Sequence, residues 1–243
     1  MLNANAFDLN FKTALVIGGT GLIGSYLLRN LIHHPSFKTV TSLSRNSSGL
    51  KSLELREYLI DFNRIDELDD RSYGFDSDIL FITLGTTIKA AGSKAAFERV
   101  DLEYALRVAQ KAKAAGCKQC HVVTAMGANE HSKIFYNRVK GKVECQLKKL
   151  DFESLHIYRP SLLLGKRKQR RNKERIGQLV MQGLAPTMLG PLKTYQPIHA
   201  ETVAEAMLKR SIEDYTGDYV LHSKAIKQIA DPPQKRKAVE LAE

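Results

Sequence analysis

The chain has 243 residues, of which 43% are hydrophobic and 26% charged, with three cysteines and a formal net charge of +11. Near-average apolar and charged fractions exclude wholesale disorder, and the length is enough for a core without disulfide staples. No apolar run approaches the ~18 residues of a membrane span, and the opening MLNANAFDLNFK lacks the basic start and apolar stretch of a secretory signal, so the cytoplasm is the expected location.

Residues 13–18 (TALVIG) form a short apolar run ending in glycines and read as a buried strand. A helix from 24 to about 33 follows, with Leu27, Leu28, Leu31 and Ile32 on one side and Pro35 beyond its end. Segments 38–44, 57–61 and 78–84 read as further strands. Between 97 and 115 one helical face is traced by Phe97, Val100, Asp101, Tyr104, Ala105, Val108, Ala112 and Ala115, and only Asp101 is unsuited to a core. Gly116 ends that helix.

Cys117 and Cys120 then form one C-x-x-C, but no second pair completes a zinc site, so no metal and two packed thiols are expected. A strand at 119–124, a helix at about 132–150 and a strand at 155–160 follow. The rhythm then breaks. Segment 166–175, KRKQRRNKER, holds seven basic residues and one acidic, leaving 30 basic against 25 acidic elsewhere, or +5. A short helical stretch near 176–183, a helix at 202–212, a strand near 219–221 and a loosely held tail from 231 complete the chain. Strands alternating with helices imply βαβ units and a parallel sheet. The expectation is an α/β, Rossmann-type doubly wound sheet forming one domain over 1–230. Residues 161–215 supply most of a small substrate-side subdomain, and 231–243 are a flexible tail.

Residues 18–24 read GGTGLIG, directly after a strand and opening a helix. Two frames fit, one using Gly19, Gly21 and Gly24, the other Gly18, Gly21 and Gly24. Either provides a tight turn, bare N–H groups close to a pyrophosphate, and close helix packing. An NAD-preferring site usually adds a carboxylate about 20 residues on. Here there is no Asp or Glu from Leu9 to Leu53, and Arg45 stands in that region instead. Its guanidinium suits a 2′-phosphate, so NADP(H) is expected over NAD(H). Asp61 falls where such folds contact the adenine, and Leu84-Gly85-Thr86-Thr87 follows a strand end that would line the cofactor crevice. Tyr136 and Lys140 share one helix face, and an ammonium beside a phenol can tune it for proton transfer. Thr124, at a strand end, offers a hydroxyl to orient a substrate oxygen.

These motifs, with SLSRN at 42–46, FERVD at 97–101, YNRVKGKVE at 136–144, YRPSLLLG at 158–165 and PIHAETVAEAM at 197–207, resemble the atypical short-chain dehydrogenase/reductases, most of all their Tat-interacting-protein-like subgroup. The resemblance spans roughly residues 12–225. It implies a Rossmann domain holding NADP(H) through Thr20, Gly21, Leu22, Ile23, Arg45, Leu84 and Gly85. It implies Tyr136 as proton donor or acceptor with Lys140 as its partner, and Arg159-Pro160 at the border of the substrate cleft. Relatives often carry two adjacent serines where this chain has Thr124-Ala125, which puts efficient reductase chemistry in question. Three readings follow: an NADP(H)-dependent oxidoreductase acting on a carbonyl or alcohol, a cofactor-sensing regulator without turnover, and a nucleotide-sugar epimerase, for which 161–230 is short. The expected partner is a small molecule, possibly anionic, with no membrane. Nucleic acid is disfavoured because loop 166–175 has no aromatic residue for stacking. That loop is expected beside the cleft, engaging an anion, in a monomer or homodimer.

Overall fold

Nine strands and seven helices are found in the computed structural model, among its described residues, 11–165 and 196–231. The strands are β1 (Lys12–Ile17), β2 (Phe37–Ser44), β3 (Leu55–Leu59), β4 (Ile79–Ile82), β5 (Gln119–Val123), β6 (Ser154–Arg159), β7 (Leu163–Leu164), β8 (Ile198–His199) and β9 (Gly217–His222). The helices are α1 (Leu22–Ile32), α2 (Ile88–Ala91), α3 (Lys94–Glu98), α4 (Tyr104–Ala114), α5 (Phe135–Lys148), α6 (Ala200–Ile212) and α7 (Ser223–Ala230). A 3₁₀ turn occupies Phe62–Glu67, and a π-type turn, Arg99–Glu103, joins α3 to α4.

Seven strands lie side by side in the order β3-β2-β1-β4-β5-β6-β9, every pair parallel, while β7 and β8 form a separate two-stranded ribbon. Both faces of the large sheet are covered. Ala14 and Val16 of β1 pack with Leu27, Leu28 and Leu31 of α1 and Val203 and Met207 of α6. Leu15 and Ile17 point the other way, against Val108 and Ala112 of α4 and Val143 and Leu147 of α5. Burial on both faces explains why β1 reads as an unbroken apolar run rather than an alternating one. The strand order reverses between β1 and β4, which opens a crevice at the C-terminal edge of the sheet, where ligands of such folds sit.

The expected α/β parallel architecture is therefore present, and most boundaries fall within two residues of those read from the sequence. Three differ for physical reasons. The helix expected over 97–115 is two helices separated by the π-type turn that carries Asp101. The helix expected from about 132 starts at Phe135, because Asn129 and Ser132 hold the preceding backbone in turns: Ser132 N donates to Asn129 O, and Ile134 N to Ser132 Oγ. β3 lies two residues earlier than expected, in register with Val40–Ser44 of β2. The basic stretch 166–175, the helical stretch at 176–183 and the tail beyond 231 lie outside the described residues.

Candidate active site

The glycine turn is settled by close contacts. Gly18 has φ +83°, and a Cβ there would lie 2.6 Å from the carbonyl carbon of Thr83, at the end of β4. A Cβ on Gly24 would lie 2.1 Å from Gly18 O. Gly21 N donates to Gly18 O at 2.9 Å, and Gly21 is the N-cap of α1. The frame using Gly18, Gly21 and Gly24 is thus the one in which the three residues pack on one another. No side chain caps α1 and its first turn holds no acid, so its opening N–H groups are left for an anion.

This turn forms one wall of a cleft of ≈ 440 Å³. Gly18, Thr20, Gly21, Leu22, Arg45, Leu84 and Gly85 all line it, as the sequence reading expects. Ile23 and Gly24 do not; Ile23 is buried in the core, and Gly24 is pressed against Gly18. Tyr136, Lys140 and Asp61 also lie outside the lining. Asp61 stands at the head of the 3₁₀ turn that follows β3. Its carboxylate accepts from Asn63 N and Nδ2 and so caps the 3₁₀ turn, while the next residue, Phe62, faces the cleft.

Sequence reasoning missed Ser25, Arg29, Ser47 and Ser48, which also line the cleft. Ser25 and Arg29 are one turn apart on α1, and this i, i+4 spacing from the glycine turn was the available signal. Arg29 and Arg45 bring two cations to the cleft lining. A carboxylate does approach this region, but from β3. Glu57 accepts from Ser47 Oγ (2.6 Å) and Ser48 N (2.8 Å), bracing the loop that carries Arg45. Burial raises the Glu57 pKa, but the Ser47 and Ser48 bonds outweigh it and the net direction is downward.

The expected catalytic trio is arranged differently from a simple triad. Tyr136 is 36% exposed, and its ring packs against Phe97 with centroids 5.7 Å apart. Lys140 is buried, with Nζ 2.7 Å from Asp101 Oδ1. Asp101 Oδ2 accepts from Thr86 N at 2.9 Å, in the turn that follows β4. Thr124 is already engaged within the protein rather than offering a free hydroxyl proton. Its single hydroxyl proton is donated to Glu144 Oε1 at 2.6 Å, and the residue is buried. Glu144 in turn receives both Nε and Nη2 of Arg159. The expectation of buried thiols holds: Cys117 and Cys120 are buried, and burial pushes Cys117 up to about 12 and Cys120 well above the ordinary thiol range. Among the described residues no group of three or more His, Cys, Asp or Glu is placed to hold a metal.

A parallel doubly wound sheet with a glycine cradle at its switch point defines a Rossmann-type nucleotide-binding protein. Residues 14–140 match the family described as "NAD dependent epimerase/dehydratase family". The chain belongs to that family. It is 30% identical over 224 residues to Protein HTATIP2 of Rattus norvegicus, covering 90% of each chain. It is also 30% identical over 207 residues to "Protein FMP52, mitochondrial" of Eremothecium gossypii, covering 83% of this chain and 89% of that one. In fold it resembles UDP-glucose 4-epimerase of Thermotoga maritima, solved with UDP-glucose, with TM-score 0.65, 16% identity, and coverage of 90% of this chain and 82% of that one. Several similar proteins are named as mitochondrial, which overturns the expectation of a purely cytoplasmic location. Among the described residues no helix is long and apolar enough to cross a membrane.

Proposed function

We propose that this chain is an NADP(H)-dependent oxidoreductase of the atypical short-chain type, acting on a small carbonyl or alcohol substrate. The observation that carries this reading is a shared edge. The cleft is lined by the turns after β1, β2 and β4, the Tyr136 helix follows β5, the neighbour of β4, and Asp101 links Lys140 of that helix to the turn after β4. The residues present fit a dinucleotide. The bare turn and the uncapped N-terminus of α1 suit a pyrophosphate, and Arg29 and Arg45 suit a 2′-phosphate. A bound nicotinamide would supply hydride exchange at the substrate carbon. Tyr136, 36% exposed, gives a proton to the substrate oxygen in reduction or takes one in oxidation. Lys140 holds positive charge beside it, and Asp101 partly compensates that charge.

A second reading, a cofactor-sensing protein without turnover, draws on specific features. The Thr124 hydroxyl is engaged by Glu144, Ala125 stands where relatives often have serine, and Lys140 is paired with Asp101. A nucleotide-sugar epimerase is less well supported, since 161–230 is short for a sugar-nucleotide subdomain.

Tyr136→Phe separates the first two. Under a panel of carbonyls with NADPH, the variant should keep cofactor binding and lose roughly 10²–10⁴-fold in turnover. Equal turnover by the variant removes Tyr136 from the mechanism. No turnover by the wild-type protein across the panel favours the sensing reading.

A further inference from the structure

The part of the cleft lining that follows β2 is a loop, and a loop presents a side chain reliably only if something holds its backbone. Residues 44–50 read SRNSSGL, and all but Gly49 line the cleft. Three serine hydroxyls shape the loop from within. Ser44 Oγ donates to Asn46 O at 2.7 Å, Ser47 Oγ accepts from Gly49 N at 3.1 Å, and Ser48 Oγ accepts from Leu50 N at 3.2 Å. Such turns set the loop's own form, and Glu57 ties its middle to the sheet. Glu57 stands on the edge strand β3, opposite Ser42 of β2. Its Oε2 accepts from Ser47 Oγ at 2.6 Å and its Oε1 from Ser48 N at 2.8 Å. Hydrogen bonds to an ionised carboxylate are the strong kind.

We propose that Glu57 is a positioning residue for cofactor choice: by pinning Ser47 and Ser48 to β3, it holds the Arg45 loop in the form that selects a 2′-phosphorylated adenosine. The proposal rests on the NADP(H) reading of the cleft and adds to it the group that sets the arginine's backbone.

A carboxylate placed to bond the ribose 2′-OH would repel a 2′-phosphate. Here Arg45 directly follows β2, and the acid comes from the next strand and is turned onto the loop. The bonds it takes also narrow what the loop can offer a ligand. Ser47 has one hydroxyl proton and gives it to Glu57, and the Ser48 N–H goes to the same carboxylate. That leaves the charge of a phosphate to the guanidinium groups, so their placement decides the selectivity. Glutamine at position 57 keeps both contacts, since its Oε1 can accept from Ser48 N and its Nε2 can donate to Ser47 Oγ. It removes only a negative charge, which would oppose a phosphate. Alanine removes both contacts, and aspartate keeps the charge on an arm one methylene too short for them.

The test is calorimetric titration of the full chain with adenosine 2′,5′-bisphosphate and with adenosine 5′-monophosphate, whose affinity ratio reads the 2′-phosphate alone. The wild-type protein should favour the bisphosphate by about tenfold or more. In Glu57→Ala that ratio should fall about tenfold while affinity for the monophosphate is kept. Glu57→Asp should show the same loss, and it carries the test if the alanine variant fails to fold. Glu57→Gln should keep at least the wild-type ratio. A general loosening of the fold would weaken both ligands alike and leave the ratio unmoved. An unchanged ratio in Glu57→Ala and Glu57→Asp, or a loss in Glu57→Gln as large as theirs, overturns the role of Glu57 and leaves the cofactor reading standing. Equal binding of the two ligands by the wild-type protein overturns the cofactor reading, and the selecting role falls with it.

Discussion

Lowering the pH from 7.5 to 5 should destabilise this protein through two histidines in the middle of its sheet. Phe81, His121, His156 and Tyr219 stand in register on β4, β5, β6 and β9, and their rings form a ladder with centroid spacings of 4.9, 4.5 and 4.9 Å. Each histidine has one hydroxyl partner: His121 Nδ1 meets Tyr158 Oη at 3.0 Å, and His156 Nε2 meets Ser154 Oγ at 2.8 Å. The remaining nitrogen of each is buried with no protein partner. Arg210 lies against Tyr215 and Tyr219, so the nearby charge is positive. Burial, and then His156 and Arg210, hold His121 well below the ordinary range; burial and then Arg210 bring His156 down from 6.5 to about 4.

The sign follows directly. Below pH 6.5 the unfolded chain takes protons that these native rings refuse, so the folded state loses stability as pH falls toward 4, whereas above 6.5 the histidine contribution is constant. Each refused proton costs about 1.4 kcal/mol per pH unit, so between pH 6.5 and 5 His156 alone accounts for roughly 2 kcal/mol. His156→Phe keeps a stacked ring that cannot titrate. Urea unfolding at pH 7.5 and 5.0 should show the variant losing about 2 kcal/mol less than the wild-type protein over that interval. Comparing each protein with itself removes any shift in baseline stability. Equal losses in the two proteins would refute the reasoning.

Gly24→Ala places a methyl 2.1 Å from Gly18 O, so thermal unfolding should show a loss of ~1–3 kcal/mol and cofactor titration a loss of roughly tenfold or more. Gly141→Ala sets a methyl 2.1 Å from Glu130 N, where the loop before α5 rests on the helix beside Lys140; denaturant melts should register an overpacking cost of about 1–3 kcal/mol. With an aromatic disulfide reagent at neutral pH, half-buried Cys145 should react first. Cys117 and Cys120 should react only as the chain unfolds, and three equal fast rates would contradict their burial.

The fold was legible because its strands are buried on both faces and its turns are marked by glycines. Residues 13–18 and 78–84 could hardly be anything but central strands, and Gly116, at φ +99°, ends α4 where the apolar period stops. The cleft's glycine and Arg45 contributions were legible for the same reason: their chemistry is local in sequence. What stayed hidden depends on contacts between distant segments. Asp101 was visible as a misfit on an apolar face, but its partner lies 39 positions away on another helix. Thr124 looked like a free hydroxyl because nothing local signals that Glu144, twenty residues on, accepts its proton. Asp61 also caps the 3₁₀ turn through one carboxylate oxygen, a contact to Asn63 that the strand-and-helix pattern does not signal. The helix α7 was missed because it is only eight residues long and just Ser223 and Ile226 are buried.

The central claim, a cleft built for a phosphorylated dinucleotide, is tested most directly by titrating NADPH and NADH into the full chain by calorimetry, beside a variant carrying both Arg29→Ala and Arg45→Ala. The account predicts tighter binding of NADPH. The preference should be worth about 1.5–3 kcal/mol per charge-assisted bond, and it should disappear in the double variant while NADH affinity is kept. Equal affinities for the two cofactors in the wild-type protein, or an NADPH preference that survives loss of both arginines, would contradict it.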